Sequence, residues 1–230
     1  RLIEVADRVV GSGAKLVGVL AHAGESYGLS TPEALVQAAE TERQATVRAA
    51  EILRRRGHAC PIVSLGSTPT AHFAGSLDGV TELRAGVYMF FDLVQHGVGV
   101  CGIDDIAISV LATVIGTKPE KGWVLIDAGW MALSRDRGTA AQAVDQFYGL
   151  VCDEAGRVLD DVVVAQASQE HGILTMRPGS GKIMPYIAVG SRVRILPNHA
   201  CAMASQHDFY SVVSGDSPVI EARWDRIRGW

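Results

Sequence analysis

Two apolar runs near the start of the chain, Lys15–Ala21 (KLVGVLA) and Cys60–Leu65 (CPIVSL), are separated by a stretch that reads as one long helix, and this order leaves few folds open. The helix is predicted from about Pro32 to Arg56. Ser30 and Glu33 offer an S-x-x-E capping box, Pro32 falls in the first turn where a missing N–H costs nothing, and Gly57 ends it. Strands joined by a helical crossover pair in parallel, so residues 1–92 are predicted to form an α/β layer or part of a barrel. Gly66–Val80 reads as a Gly/Ser/Thr/Pro loop, and Thr81–Arg84 begins a third strand running into Gly86-Val87-Tyr88. The opening residues run directly as an amphipathic helix and a glycine break, without a cap, so the chain is expected to begin inside a domain.

After Asp92 the pattern changes. Strand-like runs recur between glycine-containing turns such as GTKPEKG, DEAGR, RPGSGK and VGSR. The predicted strands are Ile106–Val114, Trp123–Ala128, Gly149–Cys152, Val162–Ala167, Ile173–Met176, Arg192–Leu196 and Phe209–Val213, with one short helix over Ala140–Tyr148. Residues 93–230 are therefore expected to form a second, mostly antiparallel β domain. With 48% hydrophobic residues the chain has ample material for packed cores. Its net charge of −4, with no basic block, argues against nucleic acid as a partner. The longest nearly apolar run, Ile106–Gly116, is too short for a membrane helix, and a cytoplasmic location is expected. Four cysteines without a CxxC pair suit reduced thiols rather than a disulfide framework or a zinc ribbon.

Two sets of residues carry potential chemistry. In Pro197-Asn198-His199-Ala200-Cys201, at the end of the strand VRIL, an extended backbone would point His199 and Cys201 to the same side, as two ligands of one zinc ion require. A core histidine beside a free thiol is the alternative reading of the same pair. Two protein ligands would leave open positions, which suits a catalytic ion better than a structural one. The second set lies where ligands bind in α/β folds, at the carboxyl ends of the predicted parallel strands: His22, Gly66-Ser67-Thr68, and Arg84-Ala85-Gly86-Val87. Gly-Ser-Thr offers hydroxyls and backbone N–H groups to a phosphate, and Gly86-Val87 can add donors. Ordinary turns and a structural ion pair are the alternatives. Gly179–Ile183 is discounted as a nucleotide loop, because Met176 and Ile183 stand where the first glycine and the hydroxyl residue are required.

Taken in order, GVLAHAGESY, VSLGSTPT, ELRAGVYMFFD, IDAGWMALSRD, SQEHG, VGSRVRILPNHACAM and RWDRIRGW resemble the D-serine dehydratase and D-threonine aldolase family, pyridoxal-phosphate enzymes of the alanine racemase fold type. PNHAC is the most specific of these motifs. The resemblance implies the C-terminal part of a TIM-type (β/α)8 barrel followed by a β domain that carries the metal. It implies that His199 and Cys201 bind a catalytic Zn2+, or Mn2+ or another divalent ion. Cys at the second place is similar to the zinc-dependent dehydratases, whereas the aldolases tend to carry Asp. By the same resemblance His22 and Tyr27 flank the cofactor ring, Gly66, Ser67 and Thr68 hold its phosphate with Gly86 and Val87, and Arg84 lies near the pyridine nitrogen.

In this family the lysine that carries the cofactor stands on the first barrel strand. None of Lys15, Lys118, Lys121 and Lys182 is placed to serve, so an accompanying N-terminal barrel segment is expected. The activity implied is conversion of D-serine to pyruvate and ammonia. The alternatives are aldolase-type cleavage of D-3-hydroxy amino acids and a catalytically silent fragment. A homodimer is implied as well, and the Trp130-Met131-Ala132-Leu133 loop, with Trp123, Trp224 and Trp230 also in this half, is expected to supply a buried interface.

Overall fold

An amphipathic helix, α1 (Leu2–Gly11), opens the chain, with Ala6 on its buried side. The computed structural model describes residues 1–227; Trp230 and the end of the RWDRIRGW motif lie outside the described residues. Two units are present: Arg1–Tyr88 with Val98–Val100, and Met89–Gly97 with the chain from Cys101 onward. Asp92, where the sequence suggests a boundary, lies within the second unit.

In the first unit, β1 (Gly18–Leu20), β2 (Ile62–Leu65) and β3 (Glu82–Leu83) form a parallel sheet in the order β1-β2-β3. The crossover between β1 and β2 is α2 (Pro32–Arg55). Its cap is Thr31, whose side chain accepts the Ala34 N–H, and not Ser30 as the sequence suggests. With Pro32 in the first helical position, the residue just before it becomes the cap. Leu35, Ala39, Glu42, Thr46, Ala50 and Leu53 form the buried stripe of α2 at three- and four-residue spacing. Around Ala6, Ala50, Leu53, Cys60 and Val63 lies this unit's apolar core.

The predicted 66–80 loop contains a short helix, α3 (Thr68–His72), closed by a capping box between Ser67 and Thr70. The third strand is shorter than expected, and Val87–Met89 turns as a 3-10 helix.

The second unit contains α4 (Leu93–Val98), β4 (Val110–Lys118), β5 (Trp123–Ile126), α5 (Trp130–Leu133), β6 (Gly149–Asp153), β7 (Val158–Ala167), β8 (Gly172–Met176), β9 (Arg192–Pro197), α6 (Ala200–Ala204), β10 (Phe209–Val212) and β11 (Ala222–Asp225). Strands β4-β5-β8-β7-β6-β9 close into a barrel in which every pairing is antiparallel. Closure leaves no unpaired edge and surrounds a core built on Val114, Ile126, Val151, Val164, Leu174 and Ile195. β4 lies later than the predicted Ile106–Val114, because it pairs with β5 as far as Lys118↔Trp123 across the turn Pro119–Lys121, with Gly122 in the left-handed region. No helix forms over 140–148. There Thr139 and Asp145 bond to one another and to the backbone N–H groups of Gln146 and Phe147, which competes with helical bonding.

Candidate active site

In the first unit, the segments after β1 and β2 are tied together by a polar network. His22 Nδ1 lies 3.2 Å from the Gly66 carbonyl oxygen, and the His22 and Tyr27 rings are 6.3 Å apart, tilted by 40°. Gly66 has φ +124°, and a Cβ there would collide with the Arg84 carbonyl, so only glycine brings the end of β2 this close to residue 84. The Ser67 hydroxyl bonds to those of Ser26 (3.1 Å) and Thr70 (3.0 Å). The Arg84 guanidinium donates to Ser64 Oγ and to the Ala21 carbonyl, both at 2.6 Å, and so joins the ends of β1 and β2. Gly86 has open space on its Cβ side and Val87 is buried.

One atom in this network stands out. The Thr68 hydroxyl is buried without a hydrogen-bond partner among the described residues. Buried hydroxyls are ordinarily paired, and an orphan beside a glycine cradle is what a phosphate oxygen would satisfy. Gly66–Thr68 thus fit a phosphate, with Thr68 as the free donor. The Gly66 N–H, by contrast, is already given to Glu42.

In the second unit, β9 ends at Pro197 and the chain turns at once into α6, with His199 as its cap residue and Cys201 inside the helix. The extended His-x-Cys geometry expected from the sequence is therefore replaced by a strand-to-helix turn. This turn is built by buried partners. Asp92, 1% exposed, accepts the Ala200 N–H (2.9 Å) and so caps α6 in place of a local side chain, while its other oxygen accepts the Gln95 N–H. Asn198, also 1% exposed, accepts the Thr139 N–H and donates to Thr139 Oγ1 and the Phe147 carbonyl. Burial raises the pKa of the Asp92 carboxyl above the usual range.

The turn still keeps Cys201 close enough to act on the His199 imidazole. His199 Nδ1 also meets Asp136 Oδ2 at 2.6 Å. The Cys201 side chain, ahead of Asp136, pushes the His199 pKa up to about 9 against the opposing effect of burial. Cys201 is exposed. An imidazole and a thiol suit a borderline-soft divalent ion. Among the described residues there is no group of three or more His, Cys, Asp or Glu arranged to hold a metal. Two such ligands would leave the other positions of an ion open.

Asp136, Asp92, Asn198 and Glu42 were not legible as site residues. Asp136 and Asn198 fall inside the motifs IDAGWMALSRD and PNHAC, but no local spacing joins residue 136 to residue 199. Glu42 carried one signal: an acid in the apolar stripe of α2.

A parallel α/β unit followed by a closed antiparallel barrel is the architecture of the alanine-racemase-like proteins. One of these, from Idiomarina loihiensis, is 44% identical to this chain and superposes with a TM-score of 0.88 over the whole chain and 60% of its own length. Residues 107–213 match the family described as "Putative serine dehydratase domain". The D-threo-3-hydroxyaspartate dehydratase of Delftia sp. HT23 is 53% identical over all of this chain and 60% of its own length, and its solved structure superposes with a TM-score of 0.90. Its structures include a cysteine-to-alanine variant in the metal-free form and a histidine-to-alanine variant, at positions two residues apart. The D-serine dehydratase of Dictyostelium discoideum is 32% identical over 89% of this chain and 52% of its own length. The chain belongs to the D-serine dehydratase and D-threonine aldolase family, and it spans about 60% or less of the length of these curated relatives.

Proposed function

We propose that the complete protein is a pyridoxal-phosphate-dependent, metal-assisted lyase that removes water from D-3-hydroxy amino acids, with a 3-hydroxyaspartate-like substrate ahead of D-serine. The observation that carries this reading is the His199–Cys201 pair, with His199 held by Asp136, at the spacing of the two positions varied in the Delftia enzyme. The sequence reading favours D-serine. The 53% identity to a 3-hydroxyaspartate dehydratase moves the preference to a larger D-3-hydroxy acid.

Pyridoxal phosphate, when bound, supplies the electron sink that lets the α-proton leave. His199 and Cys201 would hold a divalent ion, which would supply Lewis-acid chemistry at the substrate's β-hydroxyl. The remaining roles belong to the chain. Thr68 offers its free hydroxyl to the cofactor phosphate, and His22 and Tyr27 present two rings at one strand end. Arg84 keeps the ends of β1 and β2 together. Asp136 holds His199 Nδ1 and leaves Nε2 for the ion. In this reading the three parallel strands are part of a (β/α)8 barrel and the complete enzyme is a homodimer.

The test uses the complete protein with D-threo-3-hydroxyaspartate, D-serine and D-threonine. A keto acid with an equivalent of ammonia is the expected product, formed fastest from the hydroxyaspartate. Glycine and an aldehyde would instead establish the aldolase reading, which the family's D-threonine aldolases keep in view. No turnover of any of the three would refute both.

A further inference from the structure

Glu42 is the one carboxylate on the buried stripe of α2, at 7% exposure among neutral neighbours. Burying a carboxylate is costly unless its oxygens are bonded, and those of Glu42 are. Oε1 accepts the N–H of Ala23 (2.9 Å), after β1, and that of Gly66 (3.2 Å), after β2. Oε2 accepts the Thr70 hydroxyl (2.8 Å), in α3. Thr70 Oγ1 in turn accepts the Ser67 N–H, and its contact with the Ser67 hydroxyl extends to Ser26. A single side chain therefore links the two loops and the first turn of α3, the turn in which the unpaired Thr68 hydroxyl lies.

From this we infer that Glu42 is a positioning residue for the phosphate end of the cofactor. It holds the Gly66 and Ser67 backbone inward so that Thr68 alone presents a free hydroxyl. The inference rests on the proposed function, since it takes the Gly66–Thr68 cradle as the phosphate site. An apolar residue at position 42 would suit the stripe equally well for packing. Such a residue would leave the Ala23 and Gly66 N–H groups without their acceptor and let the cradle relax.

The test compares dissociation constants of pyridoxal 5'-phosphate and of pyridoxal, which lacks the phosphate, for the complete protein, read by absorbance and fluorescence quenching with thermal unfolding alongside. In the parent, pyridoxal phosphate should bind more tightly. Glu42→Leu should reduce that preference about tenfold or more while changing pyridoxal binding little. Glu42→Gln should keep it within about threefold, because the amide oxygen still accepts both N–H groups and Thr70 can turn its proton toward Ser67. If Glu42→Leu fails to fold, Thr70→Val, which removes one bond of the same network, should lower the preference about threefold or more.

Equal weakening of both ligands would mean that Glu42 serves the fold alone, and the inference fails. A preference unchanged in the variants also overturns it and leaves the site reading standing. No preference in the parent defeats the site reading and the inference together.

Discussion

In the proposed function Thr68 meets the cofactor phosphate and Cys201 the divalent ion, and each role has a consequence at its own side chain. The Thr68 hydroxyl is buried and unpaired, a cost the ligand-free fold carries. Thr68→Val keeps the shape and removes the orphan. It should leave the cofactor-free protein as stable as the parent or more so, by about 1 kcal/mol, while weakening pyridoxal phosphate binding; lower stability together with unchanged binding would contradict this role. The four thiols should also separate by reactivity. Cys60 and Cys152 are buried, Cys101 is partly buried, and Cys201 is exposed. Burial pushes both Cys101 and Cys152 up to about 11, so each remains a protonated, poor nucleophile at pH 8 and forms thiolate only as pH rises toward that value. A thiol-specific reagent at pH 8 should therefore label Cys201 first in metal-free protein, and zinc should protect it. Mass mapping that finds Cys152 labelled first would count against the assignment.

At the scale of elements, α6 exists where it does because residues far away in sequence complete it. Asp92 caps it, Thr139 and Phe147 anchor the preceding turn through Asn198, and Asp136 orients the histidine at its start. A carboxylate behind a metal-binding histidine fixes the ring and strengthens the ligand. Asp136→Asn should therefore lower the affinity for zinc roughly 10- to 100-fold without unfolding the barrel, as read by metal titration and circular dichroism. Unchanged affinity would make Asp136 a bystander. The Trp130–Leu133 segment, predicted as an apolar loop, is the short helix α5, with Leu133 in the barrel core and Met131 exposed. The Arg135 guanidinium lies 4.7 Å from the Trp130 ring centroid, which gives the tryptophan a local partner as well.

On the scale of the whole molecule, the proposed function calls for a homodimer. The second unit exposes Met131, Tyr186, Phe209, Val219, Ile220 and Trp224. The complete protein should elute as a dimer, and Trp130→Glu should shift it toward monomer with loss of activity; an active monomer at assay concentration would overturn the proposed dimer. The sequence by itself determined what depends on local pattern. The capped 24-residue helix between apolar runs specified a parallel crossover, and glycine-punctuated short strands specified an antiparallel second half. The adjacency of His199 and Cys201 in PNHAC was enough to single them out. Tertiary structure alone decided what depends on distant partners. Barrel closure required β4 to meet β9, α6 required Asp92, and the role of Glu42 required β1, β2 and α3 to converge on one carboxylate. Sequence periodicity records which face of an element is buried, whereas hydrogen bonds between residues 19 to 108 positions apart exist only once the chain has folded back on itself.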